Sequence, residues 1–227
     1  MPAARELLLD AAFSALGSRP WHGVRMVDVA AAAGVSRQTL YNEFGSKDGL
    51  ARALVRREAD AFLVGVQRSL AETLAGGGAD AADCCAAAAL WTLRTARTNP
   101  FVRAALTGCR GDRLPPAAAP PLPPPRTPRD ARPLRGGPTP GALVERIRDS
   151  ALGALGAVGA LGGAAPQQTP AGTDGTRRAC EAAVRLTLSY VVAPAATDEE
   201  AARDVARLVR ALTGQQVSGP SPTAGAR

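Results

Sequence analysis

A break between two helical patterns is the feature of this chain that most constrains its fold. Residues 26–33 form a short alanine-rich helical pattern, and Gly34 ends it within the stretch AAAGVSRQTLYNEFGSKDGL. Ser36 is placed to begin the next helix, because a serine at the N-cap accepts a hydrogen bond from a free backbone N–H group. A break of only about three residues predicts a helix-turn-helix rather than one continuous helix.

The second helix of this pair has an apolar face and a polar face. Leu40 and Phe44 are predicted to pack inward together with Val35 from the turn. The small side chains of Ala30 and Ala33 allow the two helices to approach closely. The side chains left on the outward face are Arg37, Gln38, Thr39, Tyr41 and Asn42. The pattern therefore indicates a short helix that presents polar groups to a partner.

Helices on both sides complete a three-helix unit. The first helix, over residues 5–16, carries an apolar stripe of Leu9, Ala12, Phe13 and Leu16. Gly17 stands where a glycine commonly ends a helix. Gly45 and Ser46 are predicted to stop the polar helix and to begin a long one, from Lys47 to about residue 74.

The rest of the sequence also predicts helices. They cover residues 80–98, a short segment that Asn99 and Pro100 begin and Gly108 closes, residues 174–193, and a last helix with Thr197 and Glu200 as a capping box. Prolines crowd residues 110–141, and this density favours an extended connector over a helix. A helix is expected to resume at about residue 142. The predicted fold class is all-α.

Composition and charge narrow the classes of protein. The N-terminal sequence does not have the pattern of a signal peptide, and no apolar run reaches the roughly 18 residues of a membrane span. A cytoplasmic protein without a membrane partner is therefore expected. The formal net charge is +7, but residues 1–60 hold 8 basic against 7 acidic residues, whereas residues 91–150 hold 11 against 4. Charge alone does not assign polyanion binding to the N-terminal unit.

Cysteine and histidine positions give no sign of a metal site or a catalyst. The four cysteines, Cys84, Cys85, Cys109 and Cys180, show no paired spacing, which favours free thiols in a reducing compartment. The single histidine, His22, lies in the turn after the first helix, and no nucleophile or metal cluster can be assembled around it. No cofactor and no enzyme activity are predicted.

The interrupted helix resembles the DNA-binding unit of the tetracycline-repressor (TetR) family of bacterial transcription regulators. The stretch VAAAAGVSRQTLYNEFGSKDGL carries the resemblance, which covers roughly residues 5–60. Its matching residues are Val29, Ala30, Ala33, Gly34, Val35, Ser36, Thr39, Leu40, Tyr41, Phe44, Lys47 and Leu50. The resemblance implies an N-terminal three-helix helix-turn-helix DNA-binding domain over residues 1–46. It also implies a helical ligand-binding and dimerisation domain over 47–213, interrupted by a flexible connector at about 110–141 and followed by a disordered tail at 214–227.

The resemblance also implies which residues meet double-stranded DNA. Arg37 and Gln38 are expected at base edges in the major groove, where Arg pairs with guanine and Gln with adenine, and Thr39 at a thymine methyl group. Tyr41 and Lys47 match the family's phosphate contacts, and free backbone N–H groups at Ser46 and Lys47 are expected to add to them. The full expected DNA-contacting set is Arg25, Ser36, Arg37, Gln38, Thr39, Tyr41, Asn42, Ser46 and Lys47.

One position departs from the family's pattern. The second helix usually begins with a Ser or Thr cap, but the stretch GVRMVD offers Arg25 there and leaves Asp28 without its capping partner. A missing cap weakens a helix start by about 1 kcal/mol. Arg25 is a candidate for a phosphate contact instead.

The family's layout further implies an effector pocket and a dimer interface. The expected effector is a small apolar molecule, with Phe62, Val66, Leu90, Trp91, Phe101, Leu106, Ile147 and Tyr190 as candidate contacts. The expected homodimer interface contains Val184, Leu188, Val191, Val205, Leu208 and Leu212. The implied function is a ligand-responsive regulator, more readily a repressor than an activator, that binds a near-palindromic operator.

Two alternatives stay open at this point. In the first alternative, the chain is a helical small-molecule binding or sequestering protein without sequence-specific DNA binding. The missing cap at Arg25 is the sequence feature that supports this alternative. The arginines between residues 110 and 135 are either a second DNA-contacting arm or a charged, solvated tether, and proline-rich charged segments favour the tether.

Overall fold

The computed structural model describes residues 4–109, 114–115, 145–147, 149, 153 and 170–214 of the 227-residue chain. Every regular element in these ranges is helical, which confirms the predicted all-α class. The elements are α1 (Ala4–Ser18), a 3-10 turn (Trp21–Gly23), α2 (Met26–Ala32), α3 (Arg37–Phe44), α4 (Lys47–Ala75), α5 (Ala81–Thr98), α6 (Pro100–Thr107), α7 (Pro170–Val192) and α8 (Asp198–Thr213). None of the described helices has an apolar stretch long and uncharged enough to cross a membrane.

The described residues belong to two compact units. The first lies within residues 1–62 and 98–143, and the second within 63–97 and 144–227. The predicted domain boundary after residue 46 falls inside the first unit, which continues into α4 and includes α6. Nearly all of the predicted connector, most of the helix expected from residue 142, and the predicted tail after Gly214 lie outside the described residues.

The first unit is built around one apolar core. Helix α1 contributes Leu8, Leu9, Ala12 and Leu16 to it. Residues from α2, α3, α4 and α6 join them, among which Leu40, Leu50 and Leu54 are fully buried. The helix was expected to stop at Gly17, but α1 continues through Ser18, because Gly17 keeps a helical conformation and the N–H of Arg19 still reaches the carbonyl of Ala15 at 3.1 Å.

The predicted break between α2 and α3 is confirmed in detail. Gly34 adopts the left-handed φ of 67° that an L side chain rarely takes, and the next N–H, that of Val35, returns to the carbonyl of Ala30 at 3.0 Å. The Oγ of Ser36 then accepts the N–H of Thr39 at 3.0 Å. Gly45 ends α3 with a φ of 71°. Both ends of α3 are therefore fixed by local hydrogen bonds.

A hydrogen-bonded carboxylate ties three helices of the first unit together. Glu58 of α4 is buried, and its Oε2 accepts the side-chain amide of Asn99 at 2.6 Å. Its Oε1 accepts two N–H groups of Arg57, whose guanidinium also reaches Asp10 of α1 at 2.6 Å. Asn99 in turn caps α6 by accepting the N–H groups of Phe101 and Val102. Because each oxygen of Glu58 has a donor, the buried charge is compensated.

The second unit is packed with small side chains. Its core joins α5, α7 and α8 through alanines, valines and two cysteines. Ion pairs link the two ends of α5 to α8: Arg97 bonds Asp198 at 2.8 Å near one end, and Arg210 bonds Asp80 at 3.2 Å near the other. These pairs show that α5 and α8 run antiparallel. A second pair lies at each end, Arg94 with Glu199 and Arg210 with Asp83.

Gly65 gives the first test of this packing. A Cβ added at Gly65 would lie 2.0 Å from Cζ2 of Trp91, whereas one added at Gly17 would meet nothing within 4 Å. We expect Gly65→Ala to lower the free energy of unfolding by about 1–3 kcal/mol through overpacking. Gly17→Ala is the matched control and should raise it by about 0.5–1 kcal/mol. Denaturant unfolding measures both, and equal effects of the two substitutions would contradict the close contact.

The ion pair at Asp80 predicts a loss of stability in acid. Partial burial alone raises the pKa of Asp80, but hydrogen bonds from the backbone of Asp83 and from Arg210 outweigh it and leave the pKa below its ordinary value. Stability from a lowered pKa is complete above the ordinary value and is lost as the pH falls through the folded value. We therefore expect Asp80→Asn to flatten the fall in stability below about pH 4. Glu72→Gln, an exposed position on α4 with no bonded partner among the described residues, should keep the wild-type slope.

Candidate nucleic-acid interface

Helix α3 presents the predicted polar face to solvent. Arg37, Gln38 and Asn42 are exposed, and Tyr41 is 41% exposed, whereas Leu40 on the opposite side is fully buried. The side-chain amide of Gln38 donates to Oδ1 of Asn42 at 3.1 Å, one helical turn away. Arg37 and Tyr41 make no side-chain hydrogen bond or ion pair to the rest of the described chain. The face thus has both a preorganised amide pair and two groups without a partner.

Three of the predicted DNA-contacting hydroxyl positions also have a structural function. Ser36 caps α3, and its Oγ lies 2.9 Å from Oγ1 of Thr39. Ser46 caps α4, since its Oγ accepts the N–H of Gly49 at 3.1 Å. The backbone N–H of Ser46 is bonded to the carbonyl of Phe44 at 2.8 Å, so the expectation that this N–H is free was wrong. The tight turn at Gly45 brings that carbonyl within reach.

Lys47 is held by the turn that follows α1. Its Nζ donates to the carbonyl of His22 at 3.1 Å and lies 5.4 Å from the ring centroid of Trp21. An ammonium group has three donors, so this bond leaves two for other acceptors. Lys47, at the start of α4, thus joins this helix to the turn that holds the buried Trp21.

Arg25 forms an ion pair with Asp28 instead of capping α2. It occupies the N-cap position without a capping hydrogen bond, but its Nε and a terminal nitrogen bond the two oxygens of Asp28 at 3.0 and 3.1 Å. Arg19 adds a third bond to Asp28 at 3.1 Å. The hydrogen bond from Arg25 is the main reason why the pKa of Asp28 lies below its ordinary value. The sequence predicted that Asp28 has no capping partner, and the structure shows no side-chain cap at Arg25. Its bond to Arg19 was not predicted, because Arg19 lies nine residues away and across a turn.

The predicted effector-contacting residues do not all lie in one unit. Phe101, Leu106 and Phe62 belong to the first unit, where Phe101 stacks on Phe13 with ring centroids 5.9 Å apart. Those of the second unit are Val66, Leu90, Trp91, Ile147 and Tyr190. Trp91 covers Gly65, and the hydroxyl of Tyr190 donates to Asp204 at 2.7 Å.

A small cavity lies within the second unit, between α5, α7 and Ile147. Its volume is about 20 Å³, which is room for a water-sized molecule. Its lining residues are Cys85, Ala88, Ala89, Thr92, Ile147, Cys180, Ala183, Val184, Thr187 and Leu188. Ile147 is the predicted effector contact among them, and Val184 and Leu188 are predicted interface residues. The walls are almost entirely apolar.

The other predicted interface residues differ in exposure. Val205 is fully buried in the core of its own chain, and Val191 is buried as well. Leu208 is half-buried, whereas Leu212 is 50% exposed. Val192, an apolar residue outside the predicted set, is 66% exposed. The assignment of this set to a dimer interface stays a prediction.

Comparisons with known proteins agree with the fold and the motif. The family described as "Bacterial regulatory proteins, tetR family" matches residues 8–54, and "Bacterial Tetracyclin repressor, C-terminal domain" matches residues 158–211. The HTH-type transcriptional regulator AlkX of Mycobacterium tuberculosis (strain ATCC 25618 / H37Rv) is 34% identical over 206 residues, which are 90% of this chain and 82% of that protein.

Solved structures show the same fold at lower identity. A tetR-family transcriptional regulator from Streptomyces coelicolor aligns with a TM-score of 0.56 at 17% identity, covering 95% of this chain and 82% of that one. The TetR family repressor AlkX from Dietzia sp. strain DQ12-45-1b, implicated in biodegradation of n-alkanes, aligns with a TM-score of 0.50 at 21% identity, covering 94% and 96%. The sequence match along nearly the whole chain, together with the helix-turn-helix of α2 and α3, establishes that this protein belongs to the TetR family of transcriptional regulators.

Proposed function

We propose that the protein is a homodimeric, ligand-responsive repressor that reads a near-palindromic operator with α3 of each protomer and is released by a small apolar effector. The observation that carries the proposal is the exposed face of α3, held between a serine cap and a left-handed glycine. A regulator of this kind acts in the cytoplasm on double-stranded DNA and needs no cofactor.

The base-reading part rests on the chemistry of three side chains. The guanidinium of Arg37 makes no bond to the described part of the chain, which suits a bidentate contact to guanine O6 and N7. Gln38 and Asn42 both carry amides that suit adenine N6 and N7, and their mutual hydrogen bond limits the conformations of each. Tyr41, one turn after Arg37, is available for a phosphate oxygen.

Lys47 and Arg25 combine contacts within the protein with proposed contacts to DNA phosphates. Lys47 keeps two donors after its bond to His22, which supports its role at a phosphate. Arg25 is 73% exposed even while paired with Asp28, so an approaching phosphate competes with that carboxylate for the guanidinium. Arg25 is therefore a weaker phosphate contact in this proposal than Lys47.

The effector part rests on the cavity of the second unit. Its apolar lining favours an apolar molecule, and the Dietzia repressor implicated in biodegradation of n-alkanes supports the same class. The present volume of about 20 Å³ admits no such molecule, so an effector must bind a more open conformation. A ligand that binds one conformation better than another shifts the population toward it, which is how effector binding would depopulate the DNA-competent state.

Selection of bound sequences from a random DNA pool tests the proposal. The purified full chain is incubated with the pool at a stated near-physiological salt concentration, because phosphate contacts make affinity strongly salt-dependent. An enriched inverted repeat, bound far more tightly than a scrambled control, is the expected result. No enrichment by a folded, dimeric protein would contradict it and would favour the sequestering protein without sequence-specific DNA binding.

Arg37→Ala gives the residue-level prediction. It should weaken binding to the selected operator by about 1–3 kcal/mol and relax the preference at one base pair in each half-site, because a base contact carries sequence information. Arg103→Ala is the matched control, since Arg103 is an exposed arginine of α6 in the same unit but outside the helix-turn-helix. Electrophoretic titration on the operator and on single-base variants measures both. Equal losses for the two variants would mean that Arg37 acts only through its charge.

A further inference from the structure

Two cysteines that are distant in sequence meet in the core of the second unit. The Sγ of Cys85 in α5 lies 4.0 Å from the Sγ of Cys180 in α7, although 95 positions separate them. Their side chains are buried, at 6% and 1% exposed. A disulfide needs the sulfurs about 2 Å apart, so these two stand about 2 Å short of bonding.

Both thiols also line the small apolar cavity. That cavity accepts a water-sized, uncharged molecule, and its walls offer almost no polar group for anything larger or charged. Hydrogen peroxide meets these conditions of size and charge, whereas a peptide disulfide such as oxidised glutathione does not. The position of the thiols at this cavity therefore favours small, uncharged oxidants over large or charged ones.

We propose that Cys85 and Cys180 form a dithiol site that a small peroxide oxidises to a disulfide joining α5 to α7. In the first step one of the two sulfurs attacks one peroxide oxygen, the O–O bond breaks, and the products are a sulfenic acid on that cysteine and water. In the second step the sulfur of the other cysteine attacks the sulfenic acid sulfur, the S–O bond breaks, and the leaving hydroxide takes the proton of the second thiol as water. Two thiols and one hydrogen peroxide thus become one disulfide and two waters.

The hydrogen bond between the two thiols holds the proton of one at the sulfur of the other. Either thiol can be the donor: the bond lowers the pKa of the sulfur that accepts it and raises the pKa of the thiol that donates it. The thiolate is the reactive form, so the accepting sulfur is the nucleophile and the donating thiol is the resolving one. Burial, with a smaller contribution from Asp83 and Asp80, raises the pKa of the neighbouring Cys84, which is not among the residues that line the cavity.

The site is independent of the proposed DNA-binding function. A disulfide between Cys85 and Cys180 fixes the spacing of α5 and α7 within the second unit, at the cavity that both helices line. A protein that failed to bind an operator would still carry the dithiol, and a regulator without this oxidation would still read DNA.

Peptide mapping of the full chain tests the site. Reduced Cys109→Ser protein, which lacks the exposed thiol, is treated with hydrogen peroxide without denaturant, alkylated with N-ethylmaleimide and digested with trypsin. The expected result is a linked pair of peptides, residues 69–94 with residues 179–185. Oxidised glutathione in place of peroxide should give no such link while the protein stays folded. Full alkylation of both cysteines after peroxide, or an equal link with glutathione, would overturn the inference.

Variants at the adjacent cysteines assign the bridge. Cys84→Ala should keep the link to Cys180, and Cys85→Ala should abolish it. If Cys85→Ala does not fold, fragment ions of the linked peptide from the Cys109→Ser protein distinguish Cys84 from Cys85. A bridge from Cys84 would overturn the proposed pair.

Discussion

The short helix α3 depends on its neighbours for its existence. An isolated helix of eight residues is not stable in water, because the cost of nucleation exceeds what so few hydrogen bonds return. Here Leu40 and Phe44 anchor it in a core that α1 and α4 complete, and Ser36 and Gly45 satisfy its ends. Its outward side chains are therefore held on a rigid base, which is what a helix that contacts base edges needs.

Some cationic side chains of the first unit bond groups of their own chain, whereas Arg37 makes no such bond to the described residues. Arg57, Arg25 and Lys47 each bond a group of their own chain, and each such bond joins elements or steadies a helix end. Arg37 makes none to the described chain. This division explains how a nearly balanced N-terminal segment, with 8 basic and 7 acidic residues, can still present a cation to solvent, as the proposed contact of Arg37 with guanine requires. The positions of the charges matter more than their sum.

The sequence predicted best those interactions that join residues close together along the chain. The caps at Ser36, Asn99 and Thr197 follow from bonds to N–H groups two or three residues later, and all three were predicted. The pairs that sequence reasoning missed are long-range: Glu58 with Asn99, Gly65 with Trp91, and Cys85 with Cys180. No spacing rule connects such residues, because only the packing of whole helices brings them together. Gly17 misled the prediction, since a glycine ends a helix only where the chain then leaves the helical conformation.

Interference by guanine methylation tests most directly the claim that α3 reads base edges in the major groove. Methylation at N7 blocks the acceptor that Arg37 is assigned to contact. On the selected operator, we expect methylation of one guanine in each half-site to prevent binding of the wild-type protein, and we expect Arg37→Ala to be indifferent to methylation at that same guanine. If no guanine interferes, or if the interference pattern is unchanged in Arg37→Ala, α3 does not read base edges through Arg37.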